Sequence, residues 1–123
     1  MKMCEYCGRE AGLVGGNVIY PHRPDLAGKR FWSCHPCQAY VGCHPGTDKP
    51  LGRLANAELR TAKMAAHAAF DPLWKSEQMS RHAAYAWLAE ALGMSRNGCH
   101  IGMMNVADCR RVVEAVKARE GER

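Results

Sequence analysis

The sequence predicts an α+β chain, one continuous unit in which a ribbon of short antiparallel strands over residues 1–50 packs on three to four helices over residues 51–123. Three observations predict it. Two Cys-x-x-Cys pairs, Cys4/Cys7 and Cys34/Cys37, bracket a stretch of 26 residues, which is within hairpin reach. Up to Pro50 the chain is rich in glycine, proline and short β-prone runs. Beyond it, alanine, leucine and methionine recur every three to four residues, the spacing of one helix face.

Each element has a local reason. Residues 12–14 and 18–20 read as short strands joined by a Gly16-Asn17 turn. Two prolines and a glycine make residues 21–29 a loop. Residues 30–33 then lead as a strand into the second cysteine pair, and residues 39–43 follow as another, for a sheet of three or four strands. His44-Pro45-Gly46-Thr47-Asp48 is a turn, and residues 49–52 link to the helices. Asn56 is placed to cap a first long helix whose apolar stripe is Leu59, Ala62, Ala66, Ala69 and Phe70. Asp71-Pro72 reads as a new N-cap with proline at the first helical position, restarting the chain as a short turn with Leu73 and Trp74. Ser80 caps a helix over residues 81–92, which Gly93 ends. After an Asn97-Gly98 turn, Asn105 with Asp108 opens a last helix to about Lys117, burying Val106, Cys109, Val113 and Val116. Residues 119–123 are expected to fray.

Charge and cysteine usage bound the function. The chain has 123 residues, 17 basic against 12 acidic, and a net charge of +5. Seven of the basic and four of the acidic residues lie before Asn56, so the excess leans toward the ribbon. That balance suits nucleic acid without demanding it. Seven cysteines are an odd number, and Cys-x-x-Cys pairs rarely close structural disulfides. With no signal-like or membrane-length apolar run, the expectation is a soluble protein of a reducing cytoplasm.

Two knuckles facing each other supply four soft thiolates, the ligand set of a structural Zn2+ site. Cys4, Cys7, Cys34 and Cys37 are the expected ligands, with His35 a lesser substitute for a neighbouring thiolate. Cys43, His44, Cys99, His100 and Cys109 remain over. Two Cys-His dipeptides meeting in space would hold a second metal with an open position, and with Asp71 or Asp108 as base they would make a metal-dependent hydrolase of phosphodiesters. Packed cysteines and solvated histidines explain the same residues more simply.

For the ribbon the leading expectation is a non-enzymatic nucleic-acid interface. Arg9, Arg23, Lys29 and Arg30 would meet phosphates while Trp32 and Tyr40 stack on bases, although these aromatics are also among the few residues large enough to form a ribbon core. The methionines Met64, Met79, Met94, Met103 and Met104 offer an alternative, an adaptable surface for a protein partner. The sequence holds no nucleophile elbow, phosphate-binding glycine loop or dinucleotide fingerprint.

Several segments together resemble one family. They are Cys4-x-x-Cys7-Gly8, Phe31-Trp32-Ser33-Cys34-x-x-Cys37, Ala39-Tyr40-Val41-Gly42-Cys43-His44 and Pro50-Leu51-Gly52-Arg53-Leu54-Ala55. Further along come Leu59-Arg60, Ala66-His67-Ala68-Ala69-Phe70-Asp71-Pro72-Leu73-Trp74, Ala84-Tyr85-Ala86-Trp87-Leu88-Ala89 and Cys99-His100-Ile101-Gly102-Met103. The chain is similar over nearly its whole length to a small phage and bacterial family of zinc-finger-containing domains of unknown function. The resemblance implies a zinc-bearing protein of phages or prophages and no particular activity.

Overall fold

The computed structural model describes residues 1–76 and 78–121, which form two compact units, Met1–Ala57 and Glu58–Arg123. The first is the ribbon. Strands β1 (Gly12–Gly15), β2 (Arg30–Cys34) and β3 (Ala39–Gly42) form an antiparallel sheet in the order β1-β2-β3. The register places Leu13, Trp32 and Val41 in one row, and Val14, Phe31 and Gly42 in the next. Successive strand residues point to opposite faces, so Trp32, Cys34, Ala39 and Val41 share one face. There they pack with Cys4, Ala11 and Leu54 into a small core. On the other face Phe31 and Tyr40 meet Tyr20 edge-on, with ring centroids 5.8–6.0 Å apart. Residues 50–55 add a ragged fourth edge, bridging Cys43 to Pro50 and Tyr40 to Ala55.

One expected strand is absent. Residues 16–19 form a single helical turn, α1 (Gly16–Ile19), and Val18 is largely exposed. β1 therefore pairs with β2 and not with residues 18–20. The cause is a close approach at Gly16. Its N–H donates to the Lys29 carbonyl at 2.7 Å, and a Cβ there would lie 1.8 Å from the Leu26 carbonyl oxygen. Only glycine lets the chain turn against that loop. The loop itself contains a 3-10 turn at Pro24–Leu26.

The second unit holds α2 (Ala57–Phe70), α3 (Pro72–Lys75), α4 (Arg81–Leu92) and α5 (Val106–Gly121). Local signals set most boundaries. The Ser80 hydroxyl accepts the Ala83 N–H at 3.0 Å, and Gly93 closes α4 in the left-handed region at φ 68°. Asn105 Oδ1 accepts the Asp108 N–H at 2.8 Å and so opens α5. Asp71 departs from the expected cap. Its backbone is helical, and its carboxylate faces His67 and Lys75 instead of the amides of α3. α5 runs beyond Lys117 to Gly121, where fraying was expected, with the Arg119 guanidinium over the Trp87 ring; residues 122 and 123 lie outside the described residues. Its buried face is Cys109, Val112 and Val116, while Val106 and Val113 are half-buried. The helical core also takes Leu59, Phe70, Leu73, Leu88, Leu92, Ile101 and Met104, with Phe70 against Tyr85 at 4.7 Å. Among the described residues no helix is long and apolar enough to cross a membrane.

Gly16→Ala tests the close approach. It is expected to destabilise the protein by at least about 2 kcal/mol in denaturant unfolding, because a backbone carbonyl must yield. Gly28→Ala has nothing within 4 Å of the added Cβ and is expected to stay within about 0.5 kcal/mol of the parent.

Candidate metal centre

Two knuckles build the site. In the first, Gly8 donates its N–H to the Cys4 carbonyl and Cys4 donates to the Arg9 carbonyl, both at 2.8 Å. Gly8 takes φ 75°, the left-handed conformation that wraps the chain around the pair. The second knuckle is the hairpin loop between Cys34 and Ala39, which are register partners across β2 and β3. There Gln38 N–H donates to the His35 carbonyl at 3.0 Å and Gln38 sits at φ 50°. Each knuckle thus has a left-handed residue directly after its second cysteine, and the side chain of Gln38 costs the second about 1–2 kcal/mol of strain.

The four sulfurs of Cys4, Cys7, Cys34 and Cys37 lie within 4.8 Å of one another. Cys7 and Cys34 are 3.7 Å apart, sulfur to sulfur, and none of the seven cysteines is in a disulfide. A tetrahedron with metal–sulfur bonds of about 2.3 Å has edges of about 3.8 Å. The donor set and its spacing fit a tetrahedral thiolate metal site. Cys4 and Cys34 are buried, Cys37 is half-buried and Cys7 is exposed, so the cluster opens to solvent on the Cys7 side.

The thiols are unequal. The Arg9 backbone N–H, outweighing burial and helped by the neighbouring thiols, brings Cys7 down to about 7. Burial, the hydrogen bonds its protonated thiol makes to Cys7, Cys34 and Cys4, and the nearby Cys34 charge push Cys37 up to about 12. Cys34 is held down by the Cys37 N–H, but burial and hydrogen bonds to Cys7 and Cys4 raise it overall. Cys7 is therefore the more readily ionised sulfur and the first able to bond a cation, while Cys34 and Cys37 hold their protons more firmly.

A family model described as a zinc-finger-containing domain matches residues 1–119. The chain belongs to this family. No curated protein and no solved structure matches it. In this zinc-finger-containing domain, the cluster places the metal-binding chemistry in the ribbon.

The other cysteines and histidines are not gathered this way. Among the described residues, the four ribbon cysteines are the group of three or more His, Cys, Asp or Glu side chains with ligand atoms close enough for one ion. Cys43 and His44 belong to the ribbon unit, while Cys99, His100 and Cys109 belong to the helical unit. Cys99 and Cys109 are fully buried, and burial raises the thiols of Cys43 and Cys99, which disfavours the thiolate a metal needs. The His100 ring lies 6.2 Å from that of Tyr85.

The nucleic-acid candidates divide by type. Both aromatics are engaged inside the ribbon, with Trp32 Nε1 donating to the Asp48 carbonyl at 2.6 Å and Tyr40 bonding the Tyr20 hydroxyl at 3.0 Å. Arg9, Arg23, Lys29 and Arg30 are exposed. Arg23 pairs with Asp25 and Arg30 with Asp48. Lys29, Arg30, His44 and Thr47, with Asp25 and Cys43, line a cleft of about 310 Å³ between the loop before β2 and the loop after β3.

Glu5 and Tyr6, the two residues inside the first Cys-x-x-Cys, make bonds that sequence reasoning did not foresee. Glu5 accepts the Leu54 N–H at 3.0 Å and pairs with Lys2, which together hold its carboxyl below the usual range against the opposing effect of burial. Tyr6 Oη accepts the Asn56 N–H at 3.2 Å, under the Arg53 guanidinium. The knuckle thus fastens the segment that leads into α2. The spacing of the cysteines carries no signal for these bonds, whose partners lie about fifty positions away.

Proton release tests the thiol assignment. Zinc titration at pH 7, by calorimetry in buffers of different ionisation heat, should release more than two protons per metal, from the ligand thiols that are protonated at that pH. Protons compete with the metal, so affinity should fall as pH falls, by about a hundredfold or more per pH unit below 7. Release of one proton or none would contradict ligation by all four sulfurs.

Proposed function

We propose that this chain is a non-enzymatic binding module whose ribbon is clamped by a structural Zn2+ on Cys4, Cys7, Cys34 and Cys37 and engages nucleic acid. The observation that carries it is the four-thiol cluster. Zinc favours four cysteine thiolates, and a site with all four positions taken by protein has none open for substrate or activated water. When bound, zinc supplies a cross-link between the N-terminal knuckle and the β2–β3 hairpin. The thiolates fix the ends of a ribbon whose apolar core is small, so its loops can present charge in a set geometry.

The cleft beside the sheet supports the nucleic-acid partner. Lys29 and Arg30 enter it from one loop and His44 from the other, against Asp25 as its acidic lining residue. Arg30 is paired with Asp48, but both side chains are more than half exposed. Such pairs contribute about 0–1 kcal/mol, so a phosphate can take the guanidinium from Asp48. Backbone phosphates match these donors without requiring the bases to stack on Trp32 or Tyr40, whose polar atoms are already bonded.

Fluorescence anisotropy with labelled single-stranded and duplex oligonucleotides at low salt tests this. Binding should weaken as salt rises, with a log–log slope of about −0.9 for each phosphate contact on duplex and about −0.7 on a single strand. Lys29→Glu with Arg30→Glu should reduce affinity at least tenfold. No binding to either probe at low salt would overturn the nucleic-acid assignment and leave the metal assignment standing.

A further inference from the structure

The helical unit holds a second cationic feature, built from residues that sequence spacing does not connect. Trp74 and Lys75 lie in α3, Arg81 and Tyr85 one turn apart on α4, and Arg96 in the loop after α4. They form a row in which cations and rings alternate. Lys75 Nζ lies 5.5 Å from the Trp74 ring centre, and the Arg81 guanidinium carbon 5.7 Å from the same ring. Arg81 is also 4.9 Å from the Tyr85 ring, and Arg96 is 5.2 Å from it. Tyr85 is buried on Phe70 and is the fixed floor of the row.

Three properties mark this row as a receptor for anions. Among the described residues no carboxylate forms an ion pair with Arg81 or Arg96, and Lys75 meets Asp71 only at 3.8 Å while remaining 63% exposed. Arg81 is the first residue of α4, where the helix dipole already favours negative charge, and the first turn carries no acidic side chain. Trp74 Nε1 and Arg96 Nε are buried without a hydrogen-bond acceptor, so neither of these donors ties the row to a neighbouring carbonyl or carboxylate. A cation held against a ring and not by a carboxylate keeps its charge uncompensated, and the exposed Arg81 can offer its guanidinium to a phosphate.

We propose that this row binds the phosphate backbone of a nucleic-acid strand, giving the chain a second contact surface besides the ribbon cleft. Arg81 and Arg96 share one ring and so lie at most about 10 Å apart, with Lys75 continuing the row beyond Trp74. A line of fixed cations matches a regular line of anions, which a nucleic-acid strand carries at every residue. An acidic peptide offers flexible and irregularly spaced carboxylates and fits the row less well. The inference rests on the nucleic-acid reading above and extends it to the helical unit.

The test uses the full zinc-loaded chain and the same two oligonucleotide probes. Arg81→Glu with Arg96→Glu should lower affinity at least tenfold with the melting temperature unchanged. Should that pair fail to fold, Arg81→Gln with Arg96→Gln keeps the stems and removes the charges. Either pair should reduce the magnitude of the salt slope by about 1.8 on duplex and about 1.4 on a single strand, for two lost contacts. Arg81→Lys with Arg96→Lys should retain most of the slope. If the row variants bind like the parent while Lys29→Glu with Arg30→Glu weakens binding, the row is overturned and the ribbon assignment stands. If the ribbon variants bind like the parent and the row variants do not, the row is supported and the cleft assignment falls. Absence of oligonucleotide binding by the parent, or tighter binding to poly-glutamate than to either probe, would overturn the row as a nucleic-acid surface.

Discussion

The ribbon depends on the convergence of four sulfurs. Of the largest fully buried side chains among the described residues, only Leu54 and Cys4 belong to the ribbon, while Phe70, Leu59, Leu88, Ile101, Met104, Val112, Cys99 and Cys109 belong to the helical unit. So small an apolar core cannot offset the conformational entropy of ordering more than fifty residues. A metal bound by the folded ribbon and not by the open chain stabilises it through linkage, and its binding energy becomes folding energy. Trp32 and Val41 pack around the sulfurs, Glu5 and Tyr6 fasten the first knuckle to residues 54–56, and the second knuckle joins β2 to β3. Each of these follows from where the cysteines meet.

The helical unit is organised differently. Its boundaries come from caps and its cohesion from apolar burial, with Tyr85 at the meeting point of Phe70, Arg81, Arg96 and His100. Among the described residues, the arginines over Tyr85 are held by the ring and not by carboxylates. In the ribbon, Arg23 and Arg30 pair with the exposed carboxylates of Asp25 and Asp48. The arginines of the proposed row and those of the ribbon are thus held in different ways.

How much of this was legible in sequence depends on the range of the signal. Cys4, Cys7, Cys34 and Cys37 announce their cluster through spacing alone, and Ser80, Gly93 and Asn105 mark helix ends through bonds to nearby amides and carbonyls. Gly16 was misplaced because its need for glycine comes from the Leu26 carbonyl across a loop, which no local pattern records. Asp71 carries the pattern of a cap, but the backbone stays helical through it, leaving its carboxylate to His67 and Lys75. Trp32 and Tyr40 have the chemistry of base-stacking residues, yet the sheet register turns them onto partners within the ribbon. The row from Lys75 to Arg96 was invisible because Tyr85 and Trp74 read as packing residues until the arginines are seen to share them.

The most direct test of the central claim is X-ray absorption at the zinc edge, with metal content measured on the same purified chain. The account predicts one zinc per chain surrounded by four sulfurs at about 2.3 Å. Two zincs per chain, or a shell in which nitrogen or oxygen replaces sulfur, would contradict it.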